Sequence, residues 1–429
     1  MKNNKLTIQI IIVALIIGAI VYIEVNKPHN SAGQAISLSI TSTSSTTASS
    51  TSATSSTSIS TSTQASLAVL TTLAAVDQAA GDPQAKEITD PTGFINSPNG
   101  NTNTAGLPGV GDNIGNAPFT LSQFVGNKVI LLDFWTYSCI NCERTIPYLN
   151  AWYEKYKDAG LIIVGVHSPE FAFEKNYANV AAAVKQYGIA YPVVLDSNMG
   201  TWDAYQNIYW PAEYLIDAAG YVVHTNFGEG DYDVTEKAIQ SALIARDKAF
   251  GMSAEAAQAA VPTGIVNPSN AVSMDPTEVQ SPETYFGAER NEYLANGNQG
   301  VVGEQTLTAP TVTPQAGQTT TVPPSLKPNA LYLGGTWNVE PQYAETVGNG
   351  SGAENKIVYD YNAKNVYMVA AATSSPVKID IILDGVPQGS MTIKADQLYP
   401  IIQGQSYGEH VLEIDVEGAG LDAYTFTFG

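Results

Sequence analysis

Cysteine is almost missing from this chain: Cys139 and Cys142 are the only two in 429 residues. So small a number excludes a scaffold stapled by disulfides. It also excludes a structural zinc site, which needs about four ligands, because His29, His167, His224 and His410 add no ligand spacing. Basic side chains are scarce too, 19 Lys and Arg against 40 Asp and Glu. The formal net charge of −21 argues against nucleic acid and against docking on anionic lipid headgroups. Long apolar runs are absent with one exception, Thr7 to Ile23.

That exception is uncharged and follows Lys2 and Lys5. It reaches the lower limit of ~17 residues for a bilayer span, whereas a cleaved signal has an apolar core of ~7 to 15. Residues 1–25 therefore read as an uncleaved, single-pass membrane helix. The positive-inside rule keeps the lysines in the cytoplasm and places the bulk of the chain outside the cytoplasmic membrane. Disulfides are permitted there, so two lone cysteines point to chemistry rather than stapling.

Ser37 to Ser66 is nearly all Ser and Thr, too little apolar surface to offset ordering entropy. It reads as a disordered stalk inside a linker over residues 26–115, with a short helix near Leu70 to Ala80. From 116 to 250 strand and helix patterns alternate: Leu131 to Trp135, Asn141 to Lys157, Leu161 to His167, Phe173 to Tyr187, then further strands up to a closing helix from Val234. Such alternation implies a largely parallel sheet between helices, an α/β unit. Residues 251–280 lack periodicity and read as a linker. Residues 281–429 offer short alternating strands with Asp384-Gly385 and other turns, the pattern of an all-β jelly-roll sandwich.

The two cysteines form Cys139-Ile140-Asn141-Cys142 directly after the apolar strand Val129 to Trp135. Two thiols three positions apart at a helix start lie about 5 to 6 Å apart, within the roughly 4.4 to 6.8 Å that a disulfide tolerates. Unpaired backbone N–H groups at a helix mouth favour a thiolate. Cys139 is thus the candidate nucleophile, and Cys142, one turn further on, the resolving thiol. A permanent staple is the weaker reading, because so short a loop removes little unfolded-state entropy. The couple carries its own electrons, so no cofactor is called for.

Asp133-Phe134-Trp135, the cysteine pair and Trp210-Pro211 together resemble the thioredoxin superfamily. WTYSCINCERTIPYL (Trp135 to Leu149), GVHSPEFAFEK (Gly165 to Lys175), YWPAEYLID (Tyr209 to Asp217) and FGEGDY (Phe227 to Tyr232) are similar to the extracytoplasmic redox domain of DipZ-type proteins, relatives of the TlpA thiol-disulfide oxidoreductases. SPETYFG (Ser281 to Gly287) and AYTFTFG (Ala423 to Gly429) resemble the carbohydrate-binding-module-like β-sandwich that follows it in that family. The resemblance implies a thioredoxin-like mixed sheet flanked by helices. It also implies a cis Pro211 facing the sulfurs behind Trp210, a buried acid at Asp133 serving Cys142, and Trp135 packed over the pair. DipZ-type chains carry a multi-spanning domain that brings electrons across the bilayer. Only one apolar run is present here, so a separate CcdA-like membrane electron donor is implied, with protein disulfides as substrates.

Two other functions compete. Thr136 lies three residues before Cys139, as in thiol peroxidases of the peroxiredoxin type, although Leu132 replaces the proline expected earlier in that motif. Alternatively the sandwich is a surface glycan binder, with Trp337, Tyr332, Tyr343 and Tyr361 stacking on sugar rings. Glu143, Arg144, Glu170, Glu213 and Glu229 fall in motif-like stretches, but the sequence assigns them no task.

Overall fold

The computed structural model describes residues 35, 61–99, 116–272, 274–312, 326–348 and 355–429. The apolar run expected to anchor the chain and residues 37–60 of the stalk lie outside the described residues. Among those described, no helix is long and apolar enough to cross a membrane.

Two units follow one another. The first is a six-stranded sheet in the order β1 (Gly93–Ile95), β4 (Val193–Leu195), β3 (Leu161–His167), β2 (Val129–Trp135), β5 (Ala212–Ile216) and β6 (Val222–Phe227). Strands β2, β3 and β4 run parallel, while β1, β5 and β6 are antiparallel to their neighbours. Every residue of β2 is buried, which is why an unbroken apolar run rather than an alternating one fills the centre. Its side chains divide between two cores. Leu131 and Trp135 face the helix α2 (Ile140–Tyr156) together with Cys142, and Ile130, Leu132 and Phe134 fill the opposite face.

The first unit reaches beyond the boundaries expected from sequence. Helix α1 (Thr61–Ala80) starts inside the Ser/Thr-rich segment, and Gln78 donates to the Tyr221 hydroxyl at 2.7 Å. Strand β1 pairs with β4 and lies within the expected linker, and Glu87 accepts backbone bonds from Leu121 and Ser122. Residues 61–99 of the stretch expected as a linker thus carry α1, β1 and contacts with the first unit. A three-residue strand in a Pro/Gly-rich stretch carries too few positions to show alternation. The linker over 251–280 also docks. Helix α6 (Ala254–Ala260) follows α5 (Tyr232–Ala249), Val261 enters the first unit's core, and Gln280 bonds Asn362 of the second unit.

The second unit is an antiparallel sandwich. One sheet has the order β14-β13-β16-β11, comprising Val386–Ile393, Val377–Leu383, Glu409–Glu417 and Asn355–Asn362. The other is β10-β17-β12-β15, comprising Ala344–Thr346, Leu421–Phe428, Asn365–Ala372 and Gln397–Gln403. The long strand β9 (Leu331–Val339) joins the sheets. Joined through β9, the strands make one continuous antiparallel sheet that wraps around the core as a half-barrel. Trp337 and Tyr361 are fully enclosed in the core between the sheets, and Tyr332 is buried in a satellite cluster. Tyr343 packs on Tyr424 with ring centroids 5.0 Å apart. Trp337, Tyr361 and Tyr332 therefore serve the interior rather than the sugar platform expected of them, while the half-buried Tyr343 lies where the sandwich meets the first unit.

Candidate active site

Cys139 is the N-cap of α2, in extended backbone conformation, and its Sγ accepts the Cys142 backbone N–H at 3.3 Å. The helix start thus turns an otherwise unpaired donor onto the sulfur. Both cysteines are free thiols, Cys139 partly exposed and Cys142 buried. Burial, reinforced by Cys139 and by the nearby Asp133, pushes the Cys142 thiol well above its ordinary value. The arrangement separates an accessible sulfur from a covered one whose proton is held tightly.

The loop before Cys139 is fixed by a residue the sequence did not single out. Glu174 is fully buried, accepts from the Ser138 hydroxyl at 2.6 Å and from the backbone N–H groups of Glu170 and Phe171 at 2.6 and 2.8 Å. Burial raises its carboxyl to about 7. On the other side Arg144 forks onto Glu229, two contacts of 2.7 Å, and reaches Asn141 Oδ1, also at 2.7 Å. Glu143 instead accepts from the Tyr187 hydroxyl at 2.7 Å.

Asp133 lies on β2 with 1% of its surface exposed, and neither carboxylate oxygen has a hydrogen-bond partner. Burial and then Glu213 raise its pKa well above the usual carboxylate range. Gly165 stands opposite it on β3. A Cβ there would meet Trp135 Nε1 at 2.9 Å and the Tyr191 ring at 3.3 Å, so glycine leaves room for both rings beside the acid. Trp135 meets His167 edge-on at 5.0 Å and shares the core that holds Cys142. The Trp210–Pro211 bond is cis. The Trp210 indole lies 4.2 Å from that of Trp202 and donates to the Ser168 carbonyl at 3.0 Å. Thr136 is buried with its hydroxyl 3.4 Å from His167 Nε2.

Cys139 and Trp210 open into a cleft of about 550 Å³ whose far wall is the sandwich, through Glu283, Tyr285, Arg290, Thr427 and Phe428. The two units meet beside it. Phe171 and Phe173 pack on Tyr424 at 5.0 and 4.9 Å, and Glu170 bonds both Arg290 and the Tyr285 hydroxyl at 2.7 and 2.8 Å. Glu283 keeps an exposed surface, yet walls on both sides and the Glu170 charge push its carboxyl up to about 7. Ile208 and Tyr209 line the same cleft with much of their apolar surface exposed.

A dithiol at a helix mouth after the central strand of a mixed sheet, with a cis Trp210–Pro211 bond just before β5, defines a thioredoxin-like redox protein. A family model described as thioredoxin like C-terminal domain matches residues 281–429, and one described as AhpC/TSA family matches residues 106–225. Thiol-disulfide oxidoreductase YkuV of Bacillus subtilis is 30% identical over 128 residues, covering 30% of this chain and 86% of that protein. Protein DipZ of Mycobacterium tuberculosis is 37% identical over 326 residues, 76% of this chain. The chain spans 42% of that protein's length. Among solved structures, a thioredoxin-like protein in the oxidized form is 25% identical, covering 38% of this chain and 95% of that one, with a TM-score of 0.31. The chain belongs to the thioredoxin-like thiol-disulfide oxidoreductases.

Proposed function

We propose that this protein exchanges electrons with disulfides of protein substrates outside the cytoplasmic membrane, held there by its N-terminal apolar run. The supporting observation is the partly exposed Cys139 Sγ, bonded by the Cys142 N–H at 3.3 Å and opening into the cleft between the units. Acting as a reductant, the Cys139 thiolate attacks one sulfur of a substrate disulfide, and the other sulfur leaves as thiolate. Cys142 then attacks Cys139, closing the Cys139–Cys142 bond and releasing the second substrate thiolate. Two electrons pass to the substrate. A CcdA-like donor in the membrane returns the pair to the dithiol.

The cleft favours an extended polypeptide segment. It is bounded on two sides, and the exposed Ile208 and Tyr209 offer apolar contact next to the sulfur. Equilibration of the cysteine pair against glutathione tests the direction of transfer: a low reduction potential supports a reductase, and a potential near that of strong oxidants overturns it. Peroxidase chemistry is the weaker reading, since the Thr136 hydroxyl is turned toward His167. Reduced protein that consumes peroxide no faster than a free thiol excludes it.

A further inference from the structure

Glu213 lies directly across from Asp133 on β5, in register, and Asn226 continues the same row on β6. Asp133 and Glu213 are each 1% exposed. Three of their four carboxylate oxygens, both of Asp133 and Oε1 of Glu213, have no hydrogen-bond partner. Among the described residues neither carboxyl is in an ion pair, and what acts on Asp133 is burial and the Glu213 charge. Two carboxyls opposite each other in a dry interior resist ionising together, so the pair retains one proton. The fourth oxygen leads outward. Thr235 Oγ1 lies 3.2 Å from Glu213 Oε2 and 3.2 Å from His224 Nε2, and His224 is half-buried on β6.

We infer that Asp133 and Glu213 work as one acid pair that takes the proton of Cys142 and trades it with solvent through Thr235 and His224. The inference rests on Cys142 being the resolving thiol. Before resolution the one proton of the pair rests on Asp133, which has no hydrogen-bond donor, while Glu213 is ionised and accepts from Thr235; transfer of that proton to Glu213 leaves Asp133 the carboxylate. The Cys142 S–H proton passes to Asp133, and the sulfur attacks Cys139 Sγ. The bond between Cys139 and the substrate breaks, with its electron pair leaving on the substrate sulfur, which is protonated by solvent. The pair now holds two protons. Glu213 releases one along Thr235 and His224, which restores the starting state of protonated Asp133 and ionised Glu213.

Glu213 touches no sulfur and is a positioning residue, acting through Asp133. Its carboxyl is raised to about 7 by burial, against the hydrogen bonds of Thr235 and Asn226. Asp133 faces Glu213, and its charge reaches Cys142 on α2 and the buried Tyr191 ahead of β4. Glu213 also faces Tyr232 of α5, and His224 faces Asp231. The sequence signal is an acid among the apolar residues of Ala212-Glu213-Tyr214-Leu215-Ile216.

The test is stopped-flow release of thionitrobenzoate when the reduced full chain meets dithiobis(nitrobenzoate). The first equivalent reports attack by Cys139 and the second reports resolution by Cys142. With Glu213→Gln the second phase slows by about tenfold relative to the first near neutral pH. Its acid limb moves to lower pH, because Asp133 no longer feels a neighbouring carboxylate. Glu213→Asp recovers part of both. Thr235→Val slows the second phase and Thr235→Ser does not, which decides the matter should Glu213→Gln fail to fold. A second phase with wild-type rate and pH profile in both Glu213→Gln and Thr235→Val overturns the relay. Absence of a second phase in the wild-type chain contradicts the exchange reading itself.

Discussion

In the sandwich the buried Glu413 faces Lys356 at 2.6 Å, with Asp415 on the same ammonium at 3.2 Å. The α/β unit treats Glu236 in the same way, through Lys155 at 2.7 Å. Beneath the cysteine pair the pattern reverses: Asp133 and Glu213 are buried next to each other with orphaned oxygens. Pairing a buried acid with a cation holds it ionised and inert. Leaving it unpaired raises its pKa and makes it a proton carrier near neutral pH, at a cost in stability. The contrast is between the two kinds of acid rather than the two units, since Asp360 of the sandwich is also buried with an orphaned oxygen and raised to about 6.

The largest effect expected is on chemistry alone. Cys139→Ser abolishes disulfide exchange, measured as turnover of a small disulfide, and leaves the thermal transitions of both units in place. Next comes truncation in the sandwich core, where Trp337→Ala costs ~3–5 kcal/mol, read by denaturant unfolding of that unit. Lys356→Met strands Glu413 and lowers stability by ~1–3 kcal/mol at neutral pH.

Asp133→Asn has the opposite sign. The folded-state pKa lies above the unfolded value, so folding takes up a proton and stability falls as pH rises through that interval. The amide removes this penalty, raises Tm near neutral pH and changes it less at acid pH, while slowing resolution by Cys142. A fall in Tm at neutral pH would break the contrast with Lys356. The smallest effect falls between the units. Arg290→Gln loosens a partly exposed pair with Glu170 worth at most ~1 kcal/mol, detected as faster proteolysis of the 261–281 connection.

Much of the reactive centre was legible because its chemistry is local. A Cys-x-x-Cys at the end of an apolar strand implies its own geometry, and Asp133, Trp135 and Pro211 fall in the motifs that surround it. What escaped depends on distant contacts. Glu174 and Glu213 acquire meaning only when burial places them beside Ser138 and Asp133. Strand β14 carries Pro387, Gly389 and Ser390 on an exposed edge, so its composition reads as turn. The two glycines in β9 hide a nine-residue strand in the same way. The expected glycan aromatics failed for a related reason: in a sandwich, large rings serve the core first.

Trapping the intermediate tests the central claim most directly. Cys142→Ser, mixed with an oxidised peptide and analysed by mass spectrometry, should accumulate one disulfide-linked adduct that maps to Cys139 and disappears under reductant. If no adduct forms although the variant is folded, Cys139 is not the nucleophile and the exchange mechanism is wrong.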